Sequence, residues 1–168
     1  MPTLLDKPND DGLPALTRYC CKMATGSGKT VVMAMLLSWA FCNRGRMPSD
    51  DRFPAAALIL CPNLTIKERL QVLRPDVASN YFEQFAIVPA TLLPELQQGK
   101  VIVANWHQLA LESAHAEMSS GKKTSFKVVN KGEESPEAFA RRVLGELYNR
   151  APIMVLNDEA HHHCAGLL

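Results

Sequence analysis

Ala24-Thr25-Gly26-Ser27-Gly28-Lys29-Thr30 decides the fold. Glycine supplies backbone torsions that a Cβ forbids and lets amide N–H groups come close to an anion, so two glycines around a serine suit a chain wrapped round phosphate. Residues 16–23 ahead of the loop form a short β-prone run. Residues 29–42 behind it are helix-forming and mostly apolar over nearly four turns. Strand, loop and buried helix in that order aim the helix's unsatisfied N–H groups and positive dipole end at the same anion. Thr25, Gly26, Ser27 and Gly28 then make the cradle, Lys29 adds a mobile cation for terminal phosphates, and Thr30 offers a hydroxyl to magnesium. Met23 stands where the strict G-x-x-x-x-G-K-T pattern has its first glycine, which argues against a generic nucleotide kinase.

Downstream, three apolar runs of strand length recur. Residues 55–61 are uninterrupted and stopped by Pro62, residues 101–104 follow, and residues 153–156 come last. Between them, residues 65–74 read as a short helix capped by Thr65 and ended by Pro75. Residues 81–98, broken by Pro89 and Pro94, have no single reading. Residues 118–134, rich in Ser, Lys and Gly, read as an exposed excursion. Ser135-Pro136-Glu137 supplies an N-cap, a first-turn proline and an acid for a helix whose Phe139, Val143, Leu144, Leu147 and Tyr148 share a face. Strands alternating with helices or long connections imply an α/β fold with an open, mostly parallel sheet and helices on both faces. Residues 1–14, mixing Pro, Asp, Asn and Gly without periodicity, read as a flexible lead-in, which leaves residues 15–168 as one domain.

Both polar clusters fall at strand C-termini, where such sheets bind ligands. The second is Asp158-Glu159-Ala160-His161. An ATPase needs one carboxylate for the magnesium shell and another beside the attacking water. Asp158 suits the first task, Glu159 the second, and His161 would couple nucleotide state to other parts of a motor. His161, His162, His163 and Cys164 invite a zinc reading, but adjacent residues converge poorly on one tetrahedral ion and no second cluster exists to complete it.

Composition sets the remaining bounds. Eighteen Lys and Arg against 17 Asp and Glu leave a net charge of +1, so bulk charge announces no nucleic-acid partner and any such contact is local. The longest strongly apolar stretch, residues 31–37, falls far short of the roughly 18 residues of a membrane span. Five cysteines without a C-x-x-C pair read as reduced thiols in a soluble, cytoplasmic protein.

Residues 24–30 resemble helicase motif I, and Asp158-Glu159-Ala160-His161 resembles motif II of the DEAH-box type; order and separation fit superfamily 2. More narrowly, Lys22-Met23-Ala24-Thr25 together with residues 157–162 resembles the helicase-like subunit of type III restriction endonucleases. The resemblance implies a RecA-like ATP-binding lobe using ATP and Mg2+, with double-stranded DNA as partner and a modification or nuclease subunit as companion. It places motif Ia at residues 58–64, with Asn63 and Thr65 as contacts to the nucleic-acid backbone. Asn105-Trp106-His107 looks like that family's Asn-aromatic-His sequence, with Trp106 read as a core plug in preference to a base-stacking platform and His107 as a hydrogen-bonded structural residue. The paired basic residues Arg44 with Arg46, Lys122 with Lys123, and Arg141 with Arg142 fit phosphate contacts or a solvated face equally.

The family's motif III, second RecA-like lobe and nuclease domain have no counterpart in the 168 residues, so a lobe truncated after the DEAH box is expected. In related motors a strand after that box lies between the phosphate-loop strand and the acid-bearing strand; its absence predicts a gap in the sheet and weak hydrolysis. The function expected is that of a DNA-dependent ATPase, helicase or translocase of a restriction system. A non-catalytic ATP-dependent switch or assembly module is the alternative.

Overall fold

The computed structural model describes residues 3–5, 17–109 and 134–159. Its centre is a three-stranded parallel sheet built from β3 (Ala56–Cys61), β4 (Lys100–Asn105) and β5 (Ile153–Asn157), in the order β4-β3-β5. The three apolar runs of the sequence are these strands, each within a residue of its expected bounds. β3 lies in the middle, with Leu60 opposite Ala104 on one side and Asn157 on the other. A central strand packed on both faces must be apolar at every position, and Ala56, Ala57, Leu58, Ile59 and Cys61 are all buried.

Helices cover both faces, as the alternation of elements predicts. On one side α1 (Lys29–Arg46), α2 (Leu64–Leu70), α3 (Tyr81–Gln84) and α4 (Leu93–Gln97) enclose a core of Leu37, Phe41, Ile59, Leu73, Phe82 and Leu96. On the other, α5 (Pro136–Leu144) and the turn after it bring Val143, Leu144 and Leu147 onto Ala56, Leu58 and Ala104. Ser135 caps α5 as its sequence predicts, its hydroxyl accepting from the Ala138 amide at 3.2 Å. The proline-broken stretch 81–98 resolves into short helical pieces, with Pro89 just ahead of one and Pro94 in the first turn of α4, where no ladder bond needs its amide. α1 and α4 approach closely, since Gly45 of α1 has no side chain: a Cβ there would meet the Glu95 Cβ at 2.6 Å. Gly99 likewise makes room for the Phe41 ring.

Four expectations need correction. The short strand before the phosphate loop, β2 (Thr17–Tyr19), is not part of the parallel sheet. It pairs antiparallel with β1 (Thr3–Leu5), so part of the expected lead-in is a strand. α1 runs one turn beyond its expected end and is only half buried, exposing Met35 at 55 % and Trp39 at 54 %. α2 is capped by Asn63, not Thr65: the Asn63 Oδ1 accepts from the Ile66 amide at 2.9 Å, and Asn63 is the residue with extended torsions at the strand-to-helix switch. Trp106 is half buried and therefore no core plug.

β5 pairs with β3 alone among the described residues, and Val155 in its middle is 57 % exposed. β2 stands apart from this edge among the described residues. No described helix is long and apolar enough to cross a membrane. The described thiols are free, Cys20 and Cys21 exposed and Cys42 and Cys61 buried. The excursion at 118–133, His161 and the residues after it lie outside the described residues.

Candidate functional site

The glycines of the 24–30 loop adopt the torsions for which they were singled out. Gly26 has φ +76° and Gly28 φ +88°, with open space where each Cβ would be. The turn from Ala24 to Ser27 is closed by the Ser27 hydroxyl donating to the Ala24 carbonyl at 2.6 Å. α1 starts immediately afterwards, its first helical bond running from the Val32 amide to the Gly28 carbonyl at 3.1 Å. No side chain caps that start and no acid lies in the first turn. An 18-residue helix therefore presents its N-terminal amides and positive dipole end with no acid of its own first turn and no side-chain cap on them, which is the surrounding a phosphate fits.

Lys29 and Glu159, 130 residues apart, meet at this point. The ammonium Nζ donates to Glu159 Oε1 at 2.8 Å, with both side chains partly exposed. The hydrogen bond to Glu159 raises the Lys29 pKa above its ordinary value, against partial desolvation, and the charges of Glu159 and Asp158 add to the effect. Glu159 reaches the lysine from a backbone in the left-handed region, φ +55°, an uncommon state for a residue with a side chain. The turn holding it is pinned at its start: the Asp158 amide continues the sheet by donating to the Leu60 carbonyl at 2.9 Å, and the Asp158 carboxylate accepts from the Glu159 amide at 3.1 Å. Lys29 and Glu159 are thus in direct contact, and Asp158 contributes to the field at the lysine. Thr30 is half buried in the first turn of α1, while Thr25, Gly26, Ser27 and Gly28 are exposed around the anion-facing turn.

The expected nucleic-acid contacts follow the carboxyl end of β3. Asn63 spends its side-chain oxygen on the α2 cap, whereas Thr65 is exposed in the first turn of that helix. The His107 side chain is exposed; the bond made there is by its amide, which donates to Asn105 Oδ1 at 3.0 Å. Arg141 and Arg142 are engaged by Glu137 and Glu134, at 2.9 and 2.8 Å. No cluster of three or more His, Cys, Asp or Glu suited to a metal exists among the described residues. One contact had no signal in the sequence: the Trp106 indole Nε1 donates to Asn157 Oδ1 at 3.0 Å, across 51 residues of chain.

The family model described as type III restriction enzyme, res subunit, matches residues 12–166, which takes in the phosphate loop, all three strands of the parallel sheet and the acidic pair. No curated protein and no solved structure matches the chain.

Proposed function

The chain belongs to the type III restriction enzyme res-subunit family, a family of helicase-like, ATP-binding domains, and on that premise we propose that it is the ATP-binding lobe of a DNA-dependent ATPase or translocase. The observation that carries this reading is the 2.8 Å contact between the loop's only lysine and the carboxylate delivered by β5. An ammonium poised over an uncapped helix start, opposite an acid pair at a strand end, is an arrangement that binds a nucleoside triphosphate and serves its hydrolysis.

In that role Gly26, Ser27 and Gly28 offer backbone amides to the phosphates, with Thr25 at the rim of the cradle. Lys29 exchanges its carboxylate partner for the terminal phosphate oxygens. Glu159, released by that exchange, becomes available to orient the attacking water and accept its proton. Thr30 and Asp158 would hold magnesium, an ion that neutralises charge developing on the phosphate oxygens when bound. His161 follows Glu159 closely in the chain and is proposed to link this site to the rest of a motor. Thr65 is the better placed of the two residues proposed to contact the DNA backbone, since its side chain is not used by the cap. Double-stranded DNA, a companion modification or nuclease subunit, a second RecA-like lobe and a cytoplasmic setting complete the reading, with translocation or unwinding assigned to the two-lobed protein.

Calorimetric titration with ATP, with and without magnesium, tests the reading. Magnesium-dependent binding that Lys29→Ala abolishes supports it, and an equal affinity in the alanine variant sinks it. DNA-stimulated ATP turnover in a protein carrying a second lobe separates a motor from the alternative, an ATP-dependent switch with little hydrolysis.

A further inference from the structure

β5 is the strand that carries the acidic pair, and it is also the least restrained strand of the sheet. Like β4 it pairs with β3 alone among the described residues, but Ile153, Met154 and Leu156 are only partly buried, whereas Val101, Val103 and Ala104 of β4 are buried. Yet the turn leaving it holds Glu159 in the left-handed region, where a backbone stays only if its surroundings fix it. The ion pair to Lys29 cannot serve that purpose throughout the proposed reaction, because nucleotide takes the lysine away. The Asp158 amide bond to the Leu60 carbonyl then holds the end of β5 on the β3 side, and a side-chain contact from further across the sheet adds to it.

Trp106 makes that contact. Ala104, Leu60 and Asn157 form one row across the sheet, on β4, β3 and β5. Two strand spacings, about 9 to 10 Å, separate its ends. Trp106 lies two residues beyond Ala104, and its indole N–H reaches Asn157 Oδ1 at 3.0 Å, so it crosses the end of the central strand to the edge strand. Among side chains only a large one with a donor at its far end can make that span. Its own base is held on several sides. Asn105 Oδ1 accepts from the His107 amide at 3.0 Å, the Asn105 amide donates to Gln108 Oε1 at 3.1 Å, and Arg142 of α5 donates to the Gln108 carbonyl at 2.8 Å. Asn157 immediately precedes Asp158.

We propose that Trp106 is a positioning residue, a strap across the carboxyl ends of the parallel sheet that fixes Asn157 and through it the direction in which Asp158 and Glu159 leave β5. The role rests on the reading of that pair as the magnesium and water site. The strap acts first on the metal half of the site, and bears on the phosphate loop through the Glu159–Lys29 pair. A single hydrogen bond of this kind is worth roughly a 2- to 10-fold change in an equilibrium.

The test uses the full chain and a non-hydrolysable ATP analogue, titrated with and without Mg2+. Trp106→Phe, which keeps an aromatic ring and removes the donor, is expected to cut the gain in affinity due to magnesium by about 2- to 10-fold, with the magnesium-free affinity held or raised as Glu159 loosens from Lys29. Asn157→Ala should do the same, and the double variant should be no worse than either single one, because both remove one contact. The two tryptophans give an internal control: the Trp106 indole proton should exchange slowly in the parent and quickly in Asn157→Ala, with the exposed Trp39 unchanged. Thermal unfolding of each variant separates this from a loss of folded protein, and Asn157→Ala stands in if Trp106→Phe does not fold. Single variants with the parent's magnesium gain, losses that add in the double variant, or a fast-exchanging Trp106 proton in the parent overturn the strap alone. A parent chain with no magnesium-dependent gain overturns the functional reading, and the strap's role with it.

Discussion

Lys29 Nζ rests 2.8 Å from Glu159 Oε1, so the cation expected on the terminal phosphates and the acid expected beside the water satisfy each other. Nucleotide must compete with that carboxylate for the lysine. Glu159→Gln removes the competing charge and should therefore bind a non-hydrolysable ATP analogue more tightly, by up to about fivefold for a partly exposed pair. Turnover by the two-lobed protein should meanwhile drop by about 10²- to 10⁴-fold. Unchanged or weaker analogue binding in the glutamine variant would show that the pair does not oppose nucleotide.

Gly28 is the cap of α1 at φ +88°, in open space. Alanine there meets no neighbour but must adopt a left-handed backbone, at a cost of about 1 to 2 kcal/mol. Gly28→Ala should accordingly lower the melting temperature by a few degrees and weaken triphosphate binding in parallel. A melting temperature equal to the parent's would contradict the torsional argument.

Asn63 and Thr65 were expected to share one role, and the structure separates them. Asn63→Ala removes the α2 cap and should cost about 1 kcal/mol of stability in chemical denaturation. Thr65→Ala leaves that cap intact and should unfold like the parent, with any loss confined to DNA affinity in the two-lobed protein. Equal destabilisation by the two substitutions is the result that would refute the assignment.

The acid side of the stability profile follows from Asp50. Arg52 grips its carboxylate through Nε at 2.9 Å and Nη2 at 2.7 Å, and that hydrogen bonding lowers its pKa from 3.8 to about 2. A depressed folded-state pKa favours the ionised native form, so the contribution is present above about pH 4 and is lost as pH falls towards 2. Urea midpoints measured from pH 5 to pH 2 should fall less steeply for Asp50→Asn than for the parent. Parallel profiles would mean that the pair is not formed in solution.

What the sequence revealed and what it hid follow a physical division. The elements β3 and β4 were legible because a strand buried between helices must be apolar, β5 because its apolar run is of strand length although its middle is exposed, and α5 because Ser135-Pro136-Glu137 is a local capping signal. The loop's glycine torsions were legible for the same local reason. Strand pairing is not local: nothing in Thr17–Tyr19 marks Thr3–Leu5 as its partner in preference to the main sheet. The cap of α2 was misplaced because Asn63 and Thr65 are both capping residues two positions apart, and only the point where the chain leaves β3 decides between them. The acids and the lysine were each found by motif, while the ion pair joining them, and the indole reaching Asn157, span 130 and 51 residues and came only from the packed chain.

One side of β5 is unshared among the described residues, and it bears on how the protein behaves in a tube. A row of backbone donors and acceptors with Val155 projecting beside it is a template on which any extended peptide can dock, including the same strand of another molecule. Concentrated samples should thus drift towards self-association, and a lysine in place of Val155 should keep them dispersed without disturbing the nucleotide site.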